Sequence, residues 1–189
     1  MANYKVLYLN HATPDVYDLI RSQLPEGFEL VTLERDSDEE RRQKLADVDF
    51  ILTATAKLTK DMIDSAPKLK LIQHQGVGYD STDVKAAKER GIPVGLTPEG
   101  TTIGVAEHTI LLILAVYKRL VTAHTSLGQG EWLQFALRPV SFELCGKTLG
   151  LIGFGRIGRE VAKRARAFEA NVIYYDKYAQ VAPEEKAAL

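Results

Sequence analysis

Short apolar runs and longer amphipathic stretches alternate through the first hundred residues. Val6-Leu7-Tyr8-Leu9, Phe28-Glu29-Leu30-Val31, Phe50-Ile51-Leu52, Leu69-Lys70-Leu71-Ile72 and Ile92-Pro93-Val94 each have strand length. Between them, Pro14 to Leu24, Ser37 to Ala46, Thr59 to Ala66 and Ser81 to Arg90 carry helical patterns. Ser37 followed three residues later by Glu40 predicts a capping box, in which hydroxyl and carboxylate each accept from an orphaned backbone N–H. Strands alternating with helices need crossover connections, so the pattern predicts a parallel sheet covered on both faces.

The punctuation at Pro98-Glu99-Gly100 predicts a domain boundary, with one α/β domain over residues 1–100 and a second over 101–189. A single long helix is expected from Thr101 to about Leu127, with Ile110, Leu111, Leu114 and Tyr117 on one buried face. From Lys147 the elements restart. Thr148 to Ile152 reads as a strand, Arg156 to Phe168 as a helix and Asn171 to Tyr175 as a second strand, which makes one βαβ unit.

Composition narrows the function class. The formal charge of −1 supplies no field to draw the chain to nucleic acid or an anionic membrane, so neither is expected as a partner. The one cysteine, Cys145, excludes an internal disulfide and any CxxC metal or redox pair, which fits a cytoplasmic protein without a metal site. The amino terminus has no signal-peptide core, and the apolar stretch Thr109 to Val116 is about half of the ~20 residues that span a bilayer. The basic residues Arg159, Lys163, Arg164 and Arg166 are expected on a solvated helix face, since no aromatics are interleaved with them.

The string Gly153-Phe154-Gly155-Arg156-Ile157-Gly158 carries the chemistry. It follows an apolar strand, opens a helix and is followed about 20 residues on by Asp176, the context that a dinucleotide fingerprint needs. Gly153 is expected to make the tight turn, Gly155 to admit a pyrophosphate, and Gly158 to let helix and strand approach. The N–H groups of Arg156 and Ile157 would face the diphosphate, and Asp176 would accept from the adenosine ribose hydroxyls while repelling an added phosphate. NAD is therefore the expected cofactor, with Lys177 the one neighbouring charge of opposite tendency. A turn that only connects strand to helix is the alternative, as is a strand-end turn role for Asp176.

Taken with Gly76-Val77-Gly78-Tyr79-Asp80, Asp83, Ala86 to Val94, Thr97-Pro98, Val105-Ala106-Glu107-His108 and Gly146 to Gly150, the glycine string resembles the D-isomer-specific 2-hydroxyacid dehydrogenases. The resemblance implies an α/β fold with a flavodoxin-like doubly wound parallel-sheet domain, followed by the first half of a Rossmann NAD-binding domain. It implies an oxidoreductase passing a hydride between NAD(H) and a small D-2-hydroxy or 2-oxo acid. It further implies that backbone N–H groups at Val77 and Gly78 hold the substrate carboxylate, that Thr102 contacts the cofactor, and that helix 101–127 forms a homodimer. A tight connection at Gly76 to Gly78, a helix-capping hydroxyl at Thr102 and a face buried within the chain are the plain structural alternatives.

The family's catalytic Arg, Glu and His come from segments beyond Leu189, so no catalytic residue is assigned. His11, His74, His108 and His124 are not drafted in their place, because no partnered motif surrounds them. Two strands would leave apolar surface uncovered, and Pro183 to Leu189 reads as a helix just starting. The chain is therefore expected to be truncated and inactive alone. A non-catalytic NAD-responsive scaffold or corepressor-like dimer stands as the other reading. Glu169 sits at a helix exit where the family commonly has Gly, which leaves that turn's geometry open.

Overall fold

The computed structural model describes residues 4–179 and 181, in two compact units that meet at Glu99 and Gly100. The first unit alternates β1 (Tyr4–Tyr8), α1 (Pro14–Gln23), β2 (Phe28–Val31), α2 (Asp38–Leu45), β3 (Phe50–Thr53), α3 (Lys60–Asp64), β4 (Leu71–His74), α4 (Val84–Glu89) and β5 (Val94–Leu96). Its strands form one parallel sheet in the order β2-β1-β3-β4-β5, the flavodoxin-like doubly wound arrangement. Leu7, Leu9, Leu45, Ile51, Ile63 and Ile72 are buried in its core.

Strand limits differ from those the apolar runs suggest. Leu69 is buried ahead of β4, and β5 starts after Pro93, which has no N–H to give a ladder, although its carbonyl accepts from Ile72 N. The capping box is half formed. Ser37 caps α2 by accepting from Glu40 N, but the Glu40 carboxylate turns away to accept from Glu34 N and Arg35 N, each at 2.8 Å. The preceding loop, rather than the cap residue, holds the N–H groups that needed an acceptor.

The second unit contains α5 (Thr102–Tyr117), α6 (Leu120–Gly128), α7 (Gln134–Leu137), a 3₁₀ turn (Arg138–Val140), β6 (Thr148–Ile152), α8 (Arg156–Ala167) and β7 (Asn171–Tyr175). The expected single helix from Thr101 to Leu127 is instead two helices bent by 64°. Arg119 breaks it by taking a left-handed conformation, φ 54°, while its Nε donates to the Val140 carbonyl at 3.0 Å. Neither Gly nor Pro marks that break in the sequence. No single helix among the described residues is long and apolar enough to cross a membrane.

The covered face of α5 is Ala106, Ile110, Ile113, Leu114 and Tyr117, packed with Val161 and Ala165 of α8 and Leu149, Leu151 and Val172 of the sheet. Leu111, expected on that face, is half exposed, because it points away from the stripe on which Ile113, three residues from Ile110, joins the covered side chains. Strands β6 and β7 pair in parallel with one face covered and the other bare at Ile152, Ile173 and Tyr175. The helix start expected at Pro183 to Leu189 lies outside the described residues.

Candidate functional site

The glycine turn joins β6 to α8. Gly153 has φ +100°, a conformation that a side chain disfavours, and its N–H donates to the Tyr175 carbonyl at 2.8 Å, so the turn is pinned to the end of β7. A Cβ on Gly158 would strike the Gly153 carbonyl oxygen, which shows why the first turn of the helix needs glycine where it crosses the strand end. A Cβ on Gly155 would meet nothing within 4 Å. The turn is open at Gly155, as it is at Gly153, and no side chain caps the helix that starts behind it. The first-turn N–H groups, those of Arg156 and Ile157 among them, have no intrahelical acceptor and lie at the positive end of the helix dipole.

Phe154, a variable position of the motif, is fully buried. Its ring stacks on Tyr174 at 4.0 Å and 20°, with the Arg159 guanidinium 5.1 Å from its centroid. Its backbone N–H donates to Asp176 Oδ2 at 2.6 Å, while Asp176 Oδ1 accepts from Tyr178 N and Ala179 N, each at 2.7 Å. The Phe154 amide first, then those of Ala179 and Tyr178, hold the carboxyl below its ordinary range, and the Arg159 charge adds to this. Asp176 is thus an oriented anion joining the glycine turn to the loop after β7. Spacing locates the carboxylate but gives no sign of this second attachment.

On α8, Arg164 is half-buried and paired with Glu160 and Glu107. Arg159 is also half-buried, so of the four basic residues only Lys163 and Arg166 occupy the solvated face expected of all four. The pattern of the helix explains this, since Val161, Ala162 and Ala165 pull the flanking stems against the core. Thr102 is the first residue of α5 and Thr101 its N-cap, with no capping hydrogen bond from the Thr101 side chain.

In the first unit, Gly76 leaves β4 with φ +106° and its carbonyl accepts from Thr97 N at 2.9 Å. Val77 to Asp80 are exposed, and among the described residues no protein acceptor meets the N–H of Val77 or Gly78. Two adjacent open amides at the carboxyl end of a parallel strand suit an anionic oxygen. In the same unit, Asn10 bridges the ends of β1 and β3, where the strand order reverses. Its Oδ1 accepts from Ala54 N at 2.8 Å and its Nδ2 donates to Thr55 Oγ1 at 2.9 Å. The sequence reading did not single out Asn10, because an isolated Asn after a strand reads as a turn former. Of the histidines, His74 is buried and His11, His108 and His124 are exposed.

Residues 6–188 match the model of the D-isomer specific 2-hydroxyacid dehydrogenase catalytic domain. The chain is 46% identical over 141 residues to a D-3-phosphoglycerate dehydrogenase of Methanocaldococcus jannaschii, covering 74% of this chain and 26% of that protein. It is 44% identical over 147 residues to a hydroxypyruvate reductase of Thermotoga maritima, covering 77% and 47%. An NAD-dependent formate dehydrogenase of Staphylococcus aureus in complex with NAD superposes with a TM-score of 0.77 at 30% identity, over 92% of this chain and 56% of that one. The chain thus spans about a quarter to about half of the length of these proteins. With the motifs, the sheet order and a family match over nearly all of its residues in agreement, the chain belongs to the D-isomer-specific 2-hydroxyacid dehydrogenases.

Proposed function

We propose that this chain provides the substrate-carboxylate loop and the dinucleotide turn of an oxidoreductase that passes a hydride between NAD(H) and a small D-2-hydroxy or 2-oxo acid. The observation that carries the reading is the turn at Gly155, where a Cβ would enter open space while a Cβ at Gly158 would strike backbone. One glycine is required by the fold, and the other leaves room for a group that the protein does not supply. The NAD complex of the Staphylococcus aureus relative supports NAD as that group. When bound, NAD supplies a nicotinamide that gives or accepts the hydride.

The protein's own part is binding and orientation. Residues 101–189 are the partial dinucleotide-binding domain, in which the N–H groups of Gly155, Arg156 and Ile157 receive the diphosphate and Thr102 makes a further contact. Asp176 keeps one lone-pair site, on Oδ2, for a ribose hydroxyl beyond the three backbone donors it already serves. Residues 1–100 are the substrate-side domain, in which the open amides of Val77 and Gly78 hold a carboxylate and so fix the face of the C2 carbon. Hydroxypyruvate, the substrate in the name of the Thermotoga relative, is the first acid to try.

No proton-transfer group is assigned among the 189 residues, and turnover by these residues alone is not expected. A cytoplasmic homodimer through the 101–127 segment completes the proposal. Apolar exposure at Leu112, Val116, Leu120 and Val121 supports that interface. Calorimetry with NAD and NADP, alongside sedimentation, tests the reading. Saturable binding with NAD preferred, on a dimer, is expected, and no binding of either nucleotide would overturn it.

A further inference from the structure

The carboxylate loop is held by a buried histidine. His74, the last residue of β4, is 2% exposed, and its Nε2 lies 3.3 Å from Ser81 Oγ in a hydrogen bond. Those two residues bracket the loop, one at its departure from the sheet and one at its return. Around them the backbone is stitched down. Gln75 N donates to the Thr53 carbonyl at 2.7 Å, Leu58 N donates to Ser81 O at 2.8 Å, and Asp83 N donates to Leu58 O at 2.9 Å. Asp83 then caps α4 by accepting from Ala86 N at 2.9 Å.

The histidine is not an efficient core filler. Its Nδ1 is buried without a hydrogen-bond partner among the described residues, which lowers stability relative to an apolar side chain of the same shape. The cross-strand partner of His74 on β3 is the buried Thr53, while the preceding pair on this face, Ile72 and Ile51, is aliphatic. What an imidazole adds at position 74 is, among the described residues, a side-chain link across the two ends of the exposed segment that holds Val77 and Gly78.

We propose that His74 is a positioning residue for the carboxylate loop. Through Ser81 it fixes the separation of the loop ends, so that the Val77 and Gly78 amides are presented as a preformed pair and their ordering is not charged to substrate binding. The inference rests on the carboxylate reading of this loop, and its test separates the two.

The variants are His74→Phe, His74→Gln and Ser81→Ala in the 189-residue chain, read by amide hydrogen exchange and by hydroxypyruvate titration of the Val77 and Gly78 amide signals. Phe supplies a somewhat larger aromatic ring without nitrogen, Gln keeps a donor and acceptor in reach, and Ser81→Ala leaves the core histidine untouched. The expected result is roughly tenfold faster exchange at the hydrogen-bonded amides of Leu58, Thr82 and Asp83, which close the loop, in the Phe and Ala variants, with β3 amides unchanged, and recovery with Gln. Apparent hydroxypyruvate affinity is expected to fall in the same order. Unchanged loop exchange in both the Phe and Ala variants would overturn the proposal, as would a uniform rise at every amide. If hydroxypyruvate moves neither signal in the unsubstituted chain, the carboxylate reading fails, while the exchange comparison still decides whether His74 positions the loop.

Discussion

The backbone N–H of Phe154 donates to the carboxylate of Asp176 across 2.6 Å, so the residue expected to choose the nucleotide also holds the shape of the turn proposed to bind it. Removing the side chain should therefore do more than relax selectivity. Asp176→Ala is expected to weaken NAD on the order of tenfold and to narrow the NAD to NADP ratio, since one acceptor serves both tasks. Parallel titrations with the two nucleotides check this. An unchanged ratio would contradict the ribose assignment, and an unchanged NAD affinity would contradict the structural one.

Two glycines of one motif should behave differently. Gly158→Ala drives a Cβ into the Gly153 carbonyl and is expected to cost about 1–3 kcal/mol of stability. Gly155→Ala meets no protein atom, so stability should stay within roughly 0.5 kcal/mol while NAD binding falls by at least about tenfold. Urea midpoints and calorimetry on the same samples separate these outcomes.

Glu40 gives the first unit a defined acid response. The Glu34 amide, then Lys44 and the Arg35 amide, hold its carboxyl down to about 2 from the ordinary 4.5. The folded value lies below the unfolded one, so the stabilisation is complete above 4.5 and is lost as the pH falls through 4.5 towards 2. Glu40→Gln should be less stable than the unsubstituted chain at pH 7, with the gap in urea midpoint closing by pH 2. A gap that persists there would assign the effect to packing.

Glu169 leaves α8 with φ 59°, in the left-handed region. Its N–H donates to the Arg166 carbonyl and its carbonyl accepts from Gly146 N, so the conformation is fixed from both sides. Glu169→Gly removes the Cβ penalty and adds some unfolded-state freedom, for a net gain on the order of 0.5–1 kcal/mol. Thermal unfolding should shift upward by a few degrees. A downward shift would show that the weak Cys145 Sγ to Glu169 Oε2 contact at 3.5 Å matters more than the backbone.

The parts of the fold legible in the sequence are those set by local pattern. Alternation of apolar runs with helical segments gives the parallel α/β sheet, and glycine spacing gives the turn between β6 and α8. Features set by tertiary partners were not legible. Arg119 breaks the long helix with no glycine or proline to mark it, because the compensation comes from Val140, 21 residues away. Glu40 abandons the capping box for two loop amides, and Phe154, an unspecified letter of the motif, becomes a core ring because Tyr174 faces it from the next strand. At the loop after β4, the family resemblance singled out Val77 and Gly78, whereas the pairing of His74 with Ser81 depends on the loop's return path.

The bare face of the β6 and β7 pair matters for synthesis. The first unit can complete its five-stranded pairing as soon as β5 has left the ribosome, with each strand joining a sheet already begun. The second unit reaches the end of β7 with Ile152 95% exposed and Ile173 and Tyr175 beside it still in water. In a nascent chain passing that point, the strand-face apolar surface open to aggregation therefore lies in the second unit.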